Sequence, residues 1–336
     1  RRKGAKREDI VSFYGLRVKP KIIKVPAIDI LRKAADKGKA YMLLTLTFYV
    51  LALPMILTLR LRGKPVIYLR EKSLLILAWI TKPLHLSPII YEMHELPMFR
   101  GAMGRLQKVA LHICEKIVTI SAFQKKSLEK MGFHEDGLAV IPDAADERTI
   151  RELGDKEELR EKLQLPKDKI IVTYSGQLSE WKRPEFILQA ARYLKNENVV
   201  FLFLGGARKD LERLREHAER LNISDRVILK GYVKPPEVAS YLKASDMLVH
   251  YSASTGGMAS LSPLKIFEYM LSGKPLLAPD YPYIKEIIQD RVNGFLYKHD
   301  DSRSLAELIE KIAEMSEEEM RSITARAQST ARSCLL

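Results

Sequence analysis

Short apolar runs rich in Val, Ile and Tyr alternate along the chain with segments whose apolar residues fall three and four apart, as in Phe186, Ile187, Ala190, Ala191 and Leu194. The first pattern is that of strands buried on both faces, the second that of helices with one face on a core. Strands are predicted at 21–25, 65–69, 88–92, 116–120 and 138–141, then at 170–174, 199–204, 227–229, 247–251, 275–278 and 294–297. Strand–helix repetition of this kind specifies an α/β fold, parallel sheets with helices on both faces. The highly charged stretch 146–168, which contains Pro166, separates the two series. It predicts two doubly wound, Rossmann-like domains, 1–155 and 156–320, with 321–336 as a closing helix that packs back on the first. The chain opens with Lys3-Gly4-Ala5 and a helical pattern around 9–14 where a strand and glycine turn are the rule, so the first N-terminal strand is expected to be missing.

With 336 residues, 46% hydrophobic and 29% charged, each domain can bury its own core. Cys114 and Cys334 supply neither a disulfide framework nor metal-ligand spacing, which points to a reducing, cytoplasmic setting. The net charge of +14 asks for an anionic partner. Part of it sits in the N-terminal arm and the rest is scattered, without the aromatic-and-basic stripe of a nucleic-acid module. An anionic membrane face or a phosphorylated substrate is therefore the expected partner, and nucleic acid is not. The uncharged stretch 41–59 is long enough to span a bilayer, yet it carries Thr and Tyr side chains and Pro54 and runs into Arg60 and Arg62. It reads as a helix that is buried or leans on lipid, which places the protein peripherally on the inner face of a membrane.

Open parallel sheets bind ligands beyond the carboxyl ends of their strands, so chemistry is sought just after each strand. After the strand at 170–174 come Ser175, Gly176 and Gln177, then Lys182, Arg183 and Pro184. Two cations at the start of a helix gain nothing from its dipole, but suit a bound diphosphate. After the strand at 247–251 a loop with Gly256, Gly257 and Leu261 offers amides to phosphate. Ser262 and Pro263 then open a helix closed by Gly273. Its pattern puts Leu264, Phe267 and Leu271 on the buried stripe and Lys265, Glu268 and Ser272 opposite, where Glu268 can take hydrogen bonds from ribose hydroxyls. A plain Lys265–Glu268 ion pair explains the same two residues. At the end of the strand 88–92, His94 stands between Glu92 and Glu95, placed to orient a hydroxyl or relay a proton. None of the seven histidines pairs at metal-ligand spacing, and neither a metal nor a cofactor is expected.

These pieces in this order resemble the large fourth family of glycosyltransferases, which has the GT-B fold of two Rossmann-like domains facing across a cleft. The resemblance rests on Tyr91-Glu92-Met93-His94, Ile120-Ser121, the 140–146 string Val-Ile-Pro-Asp-Ala-Ala-Asp, Gly176 with Lys182, Gly231-Tyr232-Val233, and the string from Ser262-Pro263-Leu264-Lys265 through Glu268 to Gly273-Lys274-Pro275. It implies a retaining, metal-independent transfer of a hexose-type unit from a nucleotide sugar to a glycan or lipid-linked acceptor in envelope biosynthesis. Lys182 would meet the donor diphosphate, Glu268 the ribose, Gly231–Val233 the base, and His94 the transferred sugar. Ser175, Gly176, Gln177, Arg183, Gly256, Gly257, Leu261, Ser262 and Lys265 would line the rest. Three positions depart from the pattern: Ser260 stands where the first of two glutamates belongs, Gln177 replaces an arginine, and Asp143 an asparagine. The competing readings are a degenerate binding subunit and a sugar-nucleotide epimerase on the same fold.

Overall fold

The structure, a computed structural model, describes residues 25, 28, 37–63, 65–71, 79, 82, 88–97, 101–147, 150, 153–251 and 264–334. These form two compact units that divide between Pro142 and Asp143. The strand expected at 21–25 lies, Val25 apart, outside the described residues, as does the segment where the first strand was expected to be missing.

The first unit carries a parallel sheet in the order β1 (Ile67–Leu69), β2 (Ile89–Met93), β3 (Lys116–Thr119), β4 (Leu138–Val140). Its core joins Leu69, Ile89, Tyr91, Met93 and Ile117 of the sheet to residues of three helices. Tyr49 comes from α1 (Lys37–Arg62), Leu111 from α2 (Gly101–Ile113) and Leu128 from α3 (Ala122–Lys130). Ser121 caps α3 by accepting the Gln124 N–H at 3.2 Å, and the buried Gln124 amide oxygen accepts the Ile120 N–H at 3.1 Å. Helix α1 covers the predicted apolar stretch and keeps Pro54 inside it. Among its described side chains it buries only Ala40, Tyr49 and Ala52, and it exposes Leu46, Val50, Leu51, Leu57, Leu59 and Leu61.

The second unit follows with α4 (Lys156–Lys162), β5 (Ile170–Ser175), α5 (Glu185–Ala190), β6 (Val199–Leu204), α6 (Arg208–Arg220), β7 (Val227–Gly231), α7 (Pro235–Ala244) and β8 (Met247–Val249). It closes with α8 (Leu264–Leu271), β9 (Leu276–Pro279), α9 (Pro282–Lys285), β10 (Phe295–Tyr297), α10 (Ser302–Ala313) and α11 (Glu317–Ser333). Its six strands are parallel in the order β10-β9-β8-β5-β6-β7. Counted within the unit this is 3-2-1-4-5-6, so the winding reverses between β5 and β8, and a crevice opens beyond their carboxyl ends. Strand β6 is buried on both faces: Val199, Phe201 and Phe203 join one core, Val200, Leu202 and Leu204 the other.

The charged stretch 146–168 is not a linker. Arg160 of α4 is 2% exposed and donates to the carbonyls of Ala244, Lys167 and Lys169 and to the Asp246 carboxylate. A fork of five donors matched to four acceptors ties α4 to the second unit, whose contacts begin at Asp143. The described part of α11 packs within the same unit, with Gln328 donating to the Leu271 carbonyl at 3.2 Å and Asn293 to Thr330 at 3.0 Å.

Candidate functional site

The crevice between β5 and β8 is built from backbone first. Strand β5 ends at Ser175, and the chain turns at Gly176 with φ of 149°, where a side chain is disfavoured. A Cβ there would stand 1.9 Å from Lys265 Nζ. At the end of β6, Gly205 has φ of 117°, and its Cβ would stand 2.0 Å from the Gly176 carbonyl oxygen. The two turns thus pack main chain on main chain, and only glycine fits at either. Helix α8 is pinned across them by Tyr269, whose buried hydroxyl accepts the Ser175 N–H at 2.9 Å. That contact sets Lys265, one turn earlier, over Gly176 and 4.8 Å from the Tyr174 ring centroid.

Lys265 and Glu268 share this face. Burial pulls the Lys265 ammonium down to about 8, with the Glu268 carboxylate opposing. Burial pushes Glu268 up from the usual carboxylate range, with Lys265 opposing. Among the described residues the two form no direct ion pair, though each charge still stabilises the other. The rest of α8 departs from the sequence pattern. Leu264 is 40% exposed, whereas Ser272 is buried and donates to the Tyr269 carbonyl at 2.6 Å. The helix is covered by the sheet on one side and α11 on another, so Ile266, Phe267, Tyr269, Met270 and Leu271 are all buried and no single stripe exists.

Lys182 lies in the single turn Glu180–Lys182, its Nζ 4.1 Å from the Trp181 ring centroid. Arg183 follows in the left-handed conformation at φ of 49° and is exposed, as is Gln177. The helix expected to lend amides to an anion, α5, is six residues long and buries most of them. Attraction for an anion therefore rests on the side chains, not on a helix dipole. Gly231, at φ of 67°, ends β7 with its carbonyl accepting the Gly205 N–H at 2.6 Å; Tyr232 beyond it is exposed and Val233 half-buried. Gly256, Gly257, Ser260, Leu261 and Ser262 lie outside the described residues.

Sequence reasoning missed His250. It closes β8 with its N–H donating to the Leu277 carbonyl and its own carbonyl accepting the Tyr297 hydroxyl, both at 2.8 Å. Burial above all, then the charges of Lys265 and Lys182, hold its imidazole down at about 3, so the ring is neutral in use. Nothing in its neighbours marked it, since it lies inside the run predicted as the strand 247–251.

His94 belongs to the first unit, at the carboxyl end of β2. Its Nε2 lies 2.5 Å from Glu92 Oε1 and 2.7 Å from Arg70 Nη2. Arg70 Nε is 3.0 Å from the same carboxylate oxygen, and the Tyr68 hydroxyl donates to the other. Burial pushes the Glu92 carboxyl up, but Tyr68, His94 and Arg70 together outweigh it and hold it below its usual range. Tyr68 and Arg70 stand on and just after β1, in register beside β2. Nothing in the sequence pairs them with His94.

Residues 155–330 match the family model described as Glycosyl transferases group 1, just over half of the chain. The alpha-monoglucosyldiacylglycerol synthase of Streptococcus pneumoniae is 34% identical over 163 residues, covering 48% of this chain and 36% of that protein. The UDP-Gal:alpha-D-GlcNAc-diphosphoundecaprenol alpha-1,3-galactosyltransferase of Escherichia coli is 25% identical over 182 residues, covering 53% and 45%. The chain thus aligns with less than half the length of either. Among solved structures, Anabaena HepE in complex with UDP and glucose superposes with a TM-score of 0.72 at 21% identity, covering 84% of this chain and 77% of that one. Sucrose-phosphate synthase from Thermosynechococcus elongatus gives 0.74 at 17%, covering 94% and 81%. Two parallel α/β units of this kind constitute the GT-B fold. The chain belongs to the group 1 glycosyltransferases.

Proposed function

We propose that the chain transfers a sugar from a nucleotide-sugar donor to a glycan or lipid-linked acceptor. The observation that carries this is the β5–β8 crevice, where Lys265 crosses the bare backbone of Gly176 and Glu268 stands one turn on without an ion-pair partner among the described residues. A diphosphate beside Lys265 and Lys182 leaves Glu268 to accept from ribose hydroxyls and Tyr232 to meet the base. Fixed cations aimed at a leaving diphosphate stabilise the charge that develops on it, which is the largest expected catalytic contribution and asks for no metal. On this reading the transfer is retaining and His94 addresses the sugar. Both relatives' names refer to lipid-borne molecules, which favours a lipid-linked acceptor.

Helix α1 supports contact with an anionic membrane at the inner face. The most apolar 18-residue window within Lys39–Arg62 has a mean hydropathy of 2.1, and the helix ends in Arg60 and Arg62. The hydroxyls of Thr45, Thr47 and Thr58 return to carbonyls of the same helix at 2.8–2.9 Å, which removes the penalty of placing them against hydrocarbon. The packing of Tyr49 on the sheet core favours a helix that leans on lipid over one that crosses it. A thermal-shift panel of UDP-, GDP-, ADP- and dTDP-sugars tests the donor reading, since a ligand of the native state raises its stability. One clear hit is expected; no response to any would instead favour a subunit that has lost donor binding.

A further inference from the structure

The polar cluster at the ends of β1 and β2 fixes more than the position of His94. Glu92 Oε1 stands 2.5 Å from Nε2. At that distance a bare ring lone pair would face a carboxylate lone pair, whereas an Nε2–H makes a charge-assisted hydrogen bond. Arg70 also aims N–H groups at Nε2, from 2.7 and 3.1 Å, which would favour the opposite tautomer. The conflict resolves through the alternatives open to each group. Arg70 Nε has Glu92 Oε1 as an acceptor at 3.0 Å, and its side chain is 61% exposed, so Nη2 can turn to water, while the contact between Glu92 and the ring is favourable only if the ring donates. The Tyr68 hydroxyl occupies the second oxygen of Glu92, so the carboxylate is held from three sides and cannot swing away.

Nδ1 has no hydrogen-bond partner among the described residues, and the side chain remains 24% exposed. We propose that Glu92 is a positioning residue that holds His94 in its Nε2–H tautomer, so that a ligand hydroxyl meets the lone pair on Nδ1. The ring then acts as a hydrogen-bond acceptor toward a polyol, with Tyr68 and Arg70 fixing Glu92 rather than touching the ligand. The idea rests on the donor reading for the identity of the polyol, but not for the tautomer.

Long-range 1H–15N NMR of the ligand-free protein reads the tautomer directly, with His94→Asn assigning the signal. Nδ1 should be pyridine-like and Nε2 pyrrole-like, and Glu92→Gln should convert this to a mixture. An Nδ1–H ring in the unsubstituted protein, or a spectrum unmoved by Glu92→Gln, overturns the proposal. Release of UDP from UDP-glucose supplies the second readout. Asn places its amide near the position of Nδ1 and Gln near that of Nε2, so His94→Asn should keep more activity than His94→Gln. Glu92→Gln should lower kcat/KM by roughly 10-fold, the worth of one hydrogen bond to the ligand. Equal losses in the Asn and Gln variants would sink the Nδ1 assignment. If UDP-glucose is not turned over while the tautomer is as stated, the donor reading fails and the positioning role stands.

Discussion

Replacing Lys265 by Met keeps the aliphatic stem on Tyr174 and removes only the ammonium. Its folded value of about 8 against 10.5 for an unburied lysine means the charged form is disfavoured by roughly 3 kcal/mol at neutral pH, at about 1.4 kcal/mol per unit. Loss of the ring contact returns about 1 kcal/mol, so the ligand-free variant should be more stable by about 1–2 kcal/mol, or roughly 2–8 °C in Tm. The pH dependence has a definite sign. Between about 8 and 10.5 the folded lysine has lost its proton and the unfolded one has not, so the unfolded chain binds more protons and stability rises with pH across that window. The rise should shrink in Lys265→Met without vanishing, because burial holds Lys274 down to about 8 as well. Affinity should move the other way. Losing one hydrogen bond to an anion costs about 1.5–3 kcal/mol, so UDP should bind about 10- to 150-fold more weakly, and its loss of affinity above about pH 8 should disappear in the variant. Thermal unfolding with and without UDP across this range measures both. A variant that is less stable without ligand, or that binds UDP as tightly as its parent, would refute the reasoning.

Glu268→Ala should weaken uridine and UDP alike, by about 10-fold for one lost charged hydrogen bond, and isothermal titration of both ligands checks it. Lys182→Ala should weaken UDP by a similar factor of about 10 while leaving uridine unchanged; equal losses would count against a diphosphate contact. Changing Leu46, Val50 and Leu57 together to Gln should abolish flotation with anionic liposomes without lowering Tm, because all three are exposed on α1. Retained flotation would remove the helix from the membrane reading.

What could be read in the sequence was whatever a residue's own neighbours dictate. Each of the ten described strands falls on a predicted apolar run, most plainly β6, which is buried on both faces and so must be continuously apolar. Lys182, Lys265 and Glu268 were legible because they follow such strands at the point where the winding reverses. Partners brought in from elsewhere left no local trace: α11 over α8, Tyr68 and Arg70 beside His94, and His250 under two lysines. The stretch 146–168 misleads for the same reason, since its charges look solvated until the acceptors around Arg160 are seen. Asp246, which takes the Arg160 guanidinium at 2.5 Å, also accepts the Ile171 N–H at 2.7 Å, so the pair holds α4 to the start of β5. Arg160→Met would strip three carbonyls of their donor and leave the half-buried Asp246 carboxylate to Lys156 and the Ile171 N–H, a loss of about 1–3 kcal/mol, or roughly 2–12 °C in Tm. Arg160→Lys should recover little, because a single ammonium cannot reach acceptors set out for a planar fork. A loss under about 1 kcal/mol, the usual size for a surface substitution, would mean that 146–168 is a linker after all and that the second unit begins at β5.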